Sequence, residues 1–273
     1  MTSPDTGRDT GANTGADTGP DTGADAGTDT EARLDESRWL DRLDDASALR
    51  VMLASQGEAI TALEPALPRI EAAVMAMAAR LADSRGRIIY AGAGSAIRIG
   101  VQDGVELRPT FNWPRARVDY LVAGGPAALM DAVENAEDDT VAATAAVSDL
   151  GIGPADVTLA ISASGKTPFT CAAAASAGRA GALTIGIFNN ADAALAGEVE
   201  IGIPLITGAE AVAGSTRLKA GTAQKACLNM ISTLVMTRLG FVRDGQMIAM
   251  QPSNAKLRAR FETIHAGDSR RGD

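Results

Sequence analysis

The chain is poor in histidine, cysteine and aromatic side chains, and each shortage removes a class of chemistry. The only histidine is His265. A metal centre built on His/Cys clusters is therefore excluded, and so is an ordinary Ser-His-Asp triad. The two cysteines, Cys171 and Cys227, sit in Ala- or Leu-rich helical patterns and read as reduced core residues. Aromatics make up 3% of the chain, and no basic stripe runs among them, so nucleic acid is not an expected partner. No apolar leader opens the sequence, and no apolar run is long enough to span a membrane. A soluble, cytoplasmic protein without membrane contact is expected.

Large apolar side chains are missing from "DTGRDTGANTGADTGPDTGADAGTDTEA". Such a segment cannot bury enough surface to offset its ordering entropy, so residues 1–32 read as a disordered acidic tail. Its recurring Asp-Thr-Gly lacks the interleaved apolar residues of a calcium-binding repeat. The tail holds seven acidic groups and one arginine, out of a formal net charge of −9, which leaves about −3 for the rest. Acidity thus says little about partners.

What is present is a change of period. Residues 33–84 repeat apolar side chains at three and four, with a break at Pro65 and Pro68, and read as N-terminal helices. Short apolar strands follow in "GRIIYAGAG", "ARVDYLVAGG", "DVTLAIS", "ALTIGIFNN" and "VEIGIPLI". Helical patterns alternate with them in "PAALMDAVENAEDD", "DTVAATAAVSDLG" and a long segment over 218–239. Continuous apolar strands are buried on both faces. Their alternation with helices predicts an α/β fold, a doubly wound five-stranded parallel sheet over 85–262, with 263–273 as a flexible C-terminus. Ligands of such sheets bind at the carboxyl ends of the strands. The loops that matter are then 92–98, 124–125, 162–167 and 189–190.

Two familiar motifs fail. "SASGKTP", Ser162 to Pro168, ends like a P-loop, but the required first glycine is Ala160 and Pro168 has no N–H for a phosphate. "GAGSAIRIG" has Gly92 and Gly94 of a dinucleotide fingerprint, but Ile97 in the third place. The chemistry still suits a small anion. Thr167 is a good N-cap and Pro168 a good first helical residue, with Ser162, Ser164 and Gly165 beside them. Capping alone would explain Thr167. It would not call for two serines and a glycine as well.

Taken in order, "GRIIYAGAG", "ELRPTF", "AVENAEDD", "ISASGKTPF", "GSTRLKAGTAQKACLNMISTLVMTRLG" and "SNAKLRAR" resemble the sugar isomerase (SIS) family. Within it they are most similar to the N-acetylmuramic acid 6-phosphate etherases and their relative, the glucokinase regulatory protein. The resemblance implies a cofactor-independent lyase that cleaves the D-lactyl ether of its 6-phosphosugar, at a site in a homodimer interface. It implies Glu106 as the acid that assists lactate departure and Glu137 as the second acid/base. It implies Ser95, Ser162, Ser164, Gly165 and Thr167 around the phosphate, with Lys219, Glu210 and Ser215 in a segment near the site. The residues themselves leave room for other roles. Glu106 lies among apolar and proline residues, a setting that would bury it. Glu137 sits in an acidic cluster and reads equally as a solvated surface residue. Arg217 and Lys219 read equally as solvated charges at a helix start, although cations there oppose the helix dipole.

The sequence departs from the family pattern at three places. Ala96 and Ile97 stand where a hydroxyl and a glycine are usual, which is expected to remove a donor and add bulk near the sugar. Val105, Leu107 and Arg108 replace the usual neighbours of the glutamate. A further small helical domain, usual in the family, is not expected after residue 273. Two alternatives follow: a sugar-phosphate sensor without catalysis, and a phosphosugar isomerase.

Overall fold

The computed structural model describes residues 29–249, Ser84 and Ala132 apart. The expected tail up to residue 28, the segment "SNAKLRAR" and His265 lie outside the described residues. Residues 29–32, the end of that tail, form a turn in which Thr30 is wholly buried.

Two short 3-10 turns precede the first helix, α1 (Asp45–Thr61). Asp44 caps it, accepting from the Ser47 N–H at 2.9 Å. Pro65 falls in a 3-10 turn between α1 and α2 (Leu67–Leu81) and Pro68 in the first turn of α2, where a missing N–H costs no helical hydrogen bond. The α/β unit follows as β1 (Ile88–Gly92), α3 (Gly94–Phe111), β2 (Val118–Val122), α4 (Thr140–Asp149), β3 (Val157–Ile161), α5 (Pro168–Arg179), β4 (Leu183–Phe188), β5 (Ile201–Pro204) and α6 (Lys219–Arg238). A two-residue hairpin, β6 (Val242–Arg243) and β7 (Gln246–Met247), follows α6.

The five strands form one parallel sheet in the order β2-β1-β3-β4-β5. Every residue of β1, β3 and β4 is buried, as their unbroken apolar runs require. One face is covered by α1, α2, α3 and α6, through Ile70, Met77, Leu107 and Ile231. The other is covered by α4 and α5, through Ala143, Val147, Phe169 and Ala173. The chain therefore leaves β1 toward one face and β3 toward the other. Their carboxyl ends, paired at Gly92 and Ile161, flank the topological switch point where such sheets bind ligands.

One expected helix is absent. "PAALMDAVENAEDD" forms 3-10 turns at Pro126–Leu129 and Ala136–Asp138 around an irregular stretch. Asn135 is left-handed (φ 57°), which no helix interior accepts. Glu134, Glu137 and Asp138 would also repel each other at helical spacing. Asp139 instead caps α4, accepting from the Ala142 N–H at 2.8 Å.

Candidate active site

The loop after β3 gathers three hydroxyls. Ser162 is its hub: its Oγ lies 2.9 Å from Thr167 Oγ1 and 3.4 Å from Ser164 Oγ, and accepts from the Gly165 N–H at 3.0 Å. Ser164 Oγ accepts from the Lys166 N–H at 3.1 Å. Gly165 makes this turn with φ +66°, and a Cβ there would overlap Ala193. Thr167 occupies the N-cap position of α5, but its hydroxyl turns to Ser162 and does not close the helix end. The open N-terminus of a 12-residue helix, with hydroxyls beside it, is a ready cradle for a phosphate. Lys166 projects outward to Asp192; that hydrogen bond raises its pKa above the ordinary lysine value.

A cleft of about 320 Å³ opens at the end of β1, the strand paired with β3. Ser95 and Arg98 of α3 form one wall, and Glu134, Asn135 and Glu137 form the other. Arg98 fixes the distance between the walls by donating to the carbonyls of Ala128 and Leu129, both at 3.0 Å. The failed helix thus has a use: its irregular stretch carries Glu137 back to the switch point. Glu137 is exposed and makes no hydrogen bond or ion pair among the described residues.

Glu106 lies elsewhere. It is eleven residues beyond Ser95 on α3, about three turns and 16 Å down the helix. It is exposed, against the expectation of burial, because the apolar neighbours Leu107 and Phe111 point into the core while Glu106 points out. Lys219 is buried in the chain, and its Nζ donates to Glu58 Oε2 of α1 at 2.8 Å. Glu210, also buried, accepts from the Lys219 and Ala220 N–H groups at 2.9 and 2.8 Å. It closes the N-terminus of α6. Both therefore hold α6 in place within a single chain. α6 reaches the strand ends through Gln224, whose Nε2 donates to Asn189 Oδ1 at 2.9 Å. The expected bulk of Ile97 is also not in the cleft: its side chain is buried in the core above Gly92.

Sequence reasoning missed Arg98 and Glu210 in these roles. Their partners are backbone groups brought together by the fold, which leave no pattern in the sequence.

Residues 69–179 match the model of the glucokinase regulatory protein N-terminal SIS domain. A Streptomyces avermitilis protein described as N-acetylmuramic acid 6-phosphate etherase is 44% identical over 87% of this chain and 76% of its own. One from Deinococcus radiodurans is 44% identical over 83% of this chain and 75% of its own. The chain belongs to the N-acetylmuramic acid 6-phosphate etherase family. Among solved structures, a candidate phosphosugar isomerase of Bacteroides fragilis superposes with a TM-score of 0.57 at 21% identity, over 74% of this chain and 95% of its own. A candidate sugar-phosphate isomerase of Listeria monocytogenes gives 0.53 at 18% identity, over 82% of this chain and all of its own. These two share the fold. Among the described residues, no helix is long and apolar enough to cross a membrane.

Proposed function

We propose that the protein is a carbon–oxygen lyase that converts N-acetylmuramic acid 6-phosphate and water to N-acetylglucosamine 6-phosphate and D-lactate. The observation that carries this reading is the convergence of Ser162, Ser164 and Thr167 at the end of β3, with a cleft holding Ser95 and Glu137 at the end of the neighbouring β1. The open helix end and the hydroxyls take the phosphate. In the open-chain sugar the C1 aldehyde acidifies the proton on C2. A carboxylate removes that proton, the C3–O bond breaks, and an acid protonates the departing lactate oxygen. Water then adds to C3 of the unsaturated aldehyde and a proton returns to C2. Glu106 serves the lactate oxygen and Glu137 is the second acid/base.

Within one chain these glutamates are far apart and both face solvent. A carboxylic acid that donates a proton near neutral pH needs a drier setting. A second copy supplies it: Glu106 reaches the cleft of the other protomer. Val105, half exposed beside Glu106, and Met130, 87% exposed by the cleft, are apolar surface that such an interface covers. The active form is a cytoplasmic homodimer.

The test is proton NMR of N-acetylmuramic acid 6-phosphate turnover in D₂O. Lactate release with deuterium at C2 of the product is expected. Glu106→Ala and Glu137→Ala should each cut turnover by about 10²–10⁴-fold while the sugar phosphate still binds. Near-normal rates in both variants would remove the mechanism. No lactate from this substrate, with aldose–ketose exchange of a 2-hydroxy sugar phosphate such as glucose 6-phosphate, would make the protein an isomerase.

A further inference from the structure

The described chain begins with a short strap, Asp29 to Glu31, wedged between two loops at the carboxyl edge of the sheet. Asp29 Oδ1 accepts from the Glu31 N–H at 2.9 Å, and the Ala32 N–H donates to the Asp29 carbonyl at 3.1 Å. This turn drives Thr30 inward, where it is wholly buried. Each polar group of Thr30 then finds a partner. Its N–H donates to Asn190 Oδ1 at 3.1 Å, and its Oγ1 accepts from Asn190 Nδ2 at 3.2 Å. Its carbonyl accepts from the Gly214 N–H at 3.1 Å. Gly214 has φ +72°, a backbone conformation that favours glycine.

Of the two loops joined in this way, the one after β4 bears directly on the hydroxyl loop. Asn189, next to Asn190, donates its N–H to the Ala163 carbonyl at 2.9 Å. Ala193, on the same connection, packs against Gly165, and the Leu195 N–H donates to the Gly165 carbonyl at 2.8 Å. Asp192 pairs with Lys166. The loop after β4 is thus the backing of the Ser162–Thr167 cradle, and the strap is the backing of that loop. Gly214 begins the run into α6, whose Gln224 holds Asn189 from the other side.

A buried residue that bonds to both loops, 160 positions away from one of them, holds their spacing. We propose that Thr30 is a positioning residue for phosphate binding, acting through Asn190 and the β4 loop on the Ser162–Thr167 cradle. This rests on the phosphosugar reading above. It adds a part of the site from a segment that carries no catalytic group.

The experiment compares wild type with Thr30→Val, which keeps the shape and loses the acceptor, and with Thr30→Ser, which restores the hydroxyl. Rates are measured on N-acetylmuramic acid 6-phosphate, and binding of N-acetylglucosamine 6-phosphate by calorimetry. Losing one neutral hydrogen bond predicts a threefold to tenfold rise, roughly, in KM and in the product's Kd. kcat should stay within about twofold, because the acid/base groups are untouched. Inhibition by inorganic phosphate should weaken by the same factor, and Thr30→Ser should recover most of it. A Thr30→Val protein with a lower melting temperature but unchanged KM, Kd and phosphate inhibition overturns the proposal and leaves Thr30 a purely structural residue. A wild-type protein that neither binds nor turns over these sugars overturns the functional reading, and this inference with it.

Discussion

Asp103 shows how much one buried carboxyl can report. It lies on α3, almost inaccessible, and accepts from Tyr90 Oη at 2.8 Å, Asn229 Nδ2 at 2.9 Å and Ser232 Oγ at 3.1 Å. It ties β1, α3 and α6 together. Burial raises its pKa above the ordinary 3.8, and the three hydrogen bonds do not undo this. The folded state therefore holds the Asp103 proton at a pH where the unfolded chain has released it. Stability from this group is full below 3.8 and falls as pH rises toward its folded pKa. Asp156 has the opposite sign: burial raises it, but hydrogen bonds from Arg87 and Gly153 together outweigh burial and lower it. Its contribution is present above 3.8 and is lost as pH falls. Urea unfolding of wild type and Asp103→Asn between pH 4 and 7 separates the two. The variant should gain on wild type as pH rises just above 3.8. A constant gap across that range would mean that Asp103 titrates normally.

At the scale of elements, the start of α6 depends on groups from outside the helix. Glu210 satisfies two of its orphan N–H groups from nine and ten residues upstream, and Lys219 is pinned to α1. Glu210→Ala should cost about 2–3 kcal/mol in urea unfolding, since two buried donors lose a charged acceptor. Glu58→Ala should cost less, because Glu58 is 46% exposed, although it leaves the Lys219 ammonium, 3% exposed, without its carboxylate. Equal losses would show that the ion pair secures α6 as much as the cap does. The elements most legible in sequence are those whose own side chains decide their structure. β1, β3 and β4 are unbroken apolar runs, and Pro65 and Pro68 mark a real break. The 126–138 stretch reads as a helix by composition and is not one: Asn135 is left-handed, and Arg98 takes the Ala128 and Leu129 carbonyls. The hydroxyl loop is legible because its residues are adjacent. The burial of Lys219 and Thr30 is not, because their partners lie 161 and 160 residues away.

The whole molecule poses the question of how many chains build one site. α3 runs back from the switch point, so Ser95 and Glu106 lie on nearly the same side of the helix but about 16 Å apart. A two-fold axis that sets α3 of one protomer against the cleft of its partner brings Glu106 to the other chain's Glu137, and does so twice. This arrangement makes a prediction that a site within one chain does not share. In a heterodimer of Glu106→Ala with Glu137→Ala, one site carries both substitutions and the other carries neither. Mixing equal amounts of the two inactive variants and letting subunits exchange should restore about a quarter of wild-type activity, since half the dimers are mixed and each has one intact site. Sites that draw both glutamates from one chain would give no recovery at any ratio. The mixture needs only lactate release as its readout, and a size measurement on each parent variant shows that dimers are present to exchange. Recovery near a quarter would place Glu106 across the interface and explain its exposure in the isolated chain. No recovery, with dimers present, would return both glutamates to one protomer and require α3 or the 126–138 stretch to move on binding.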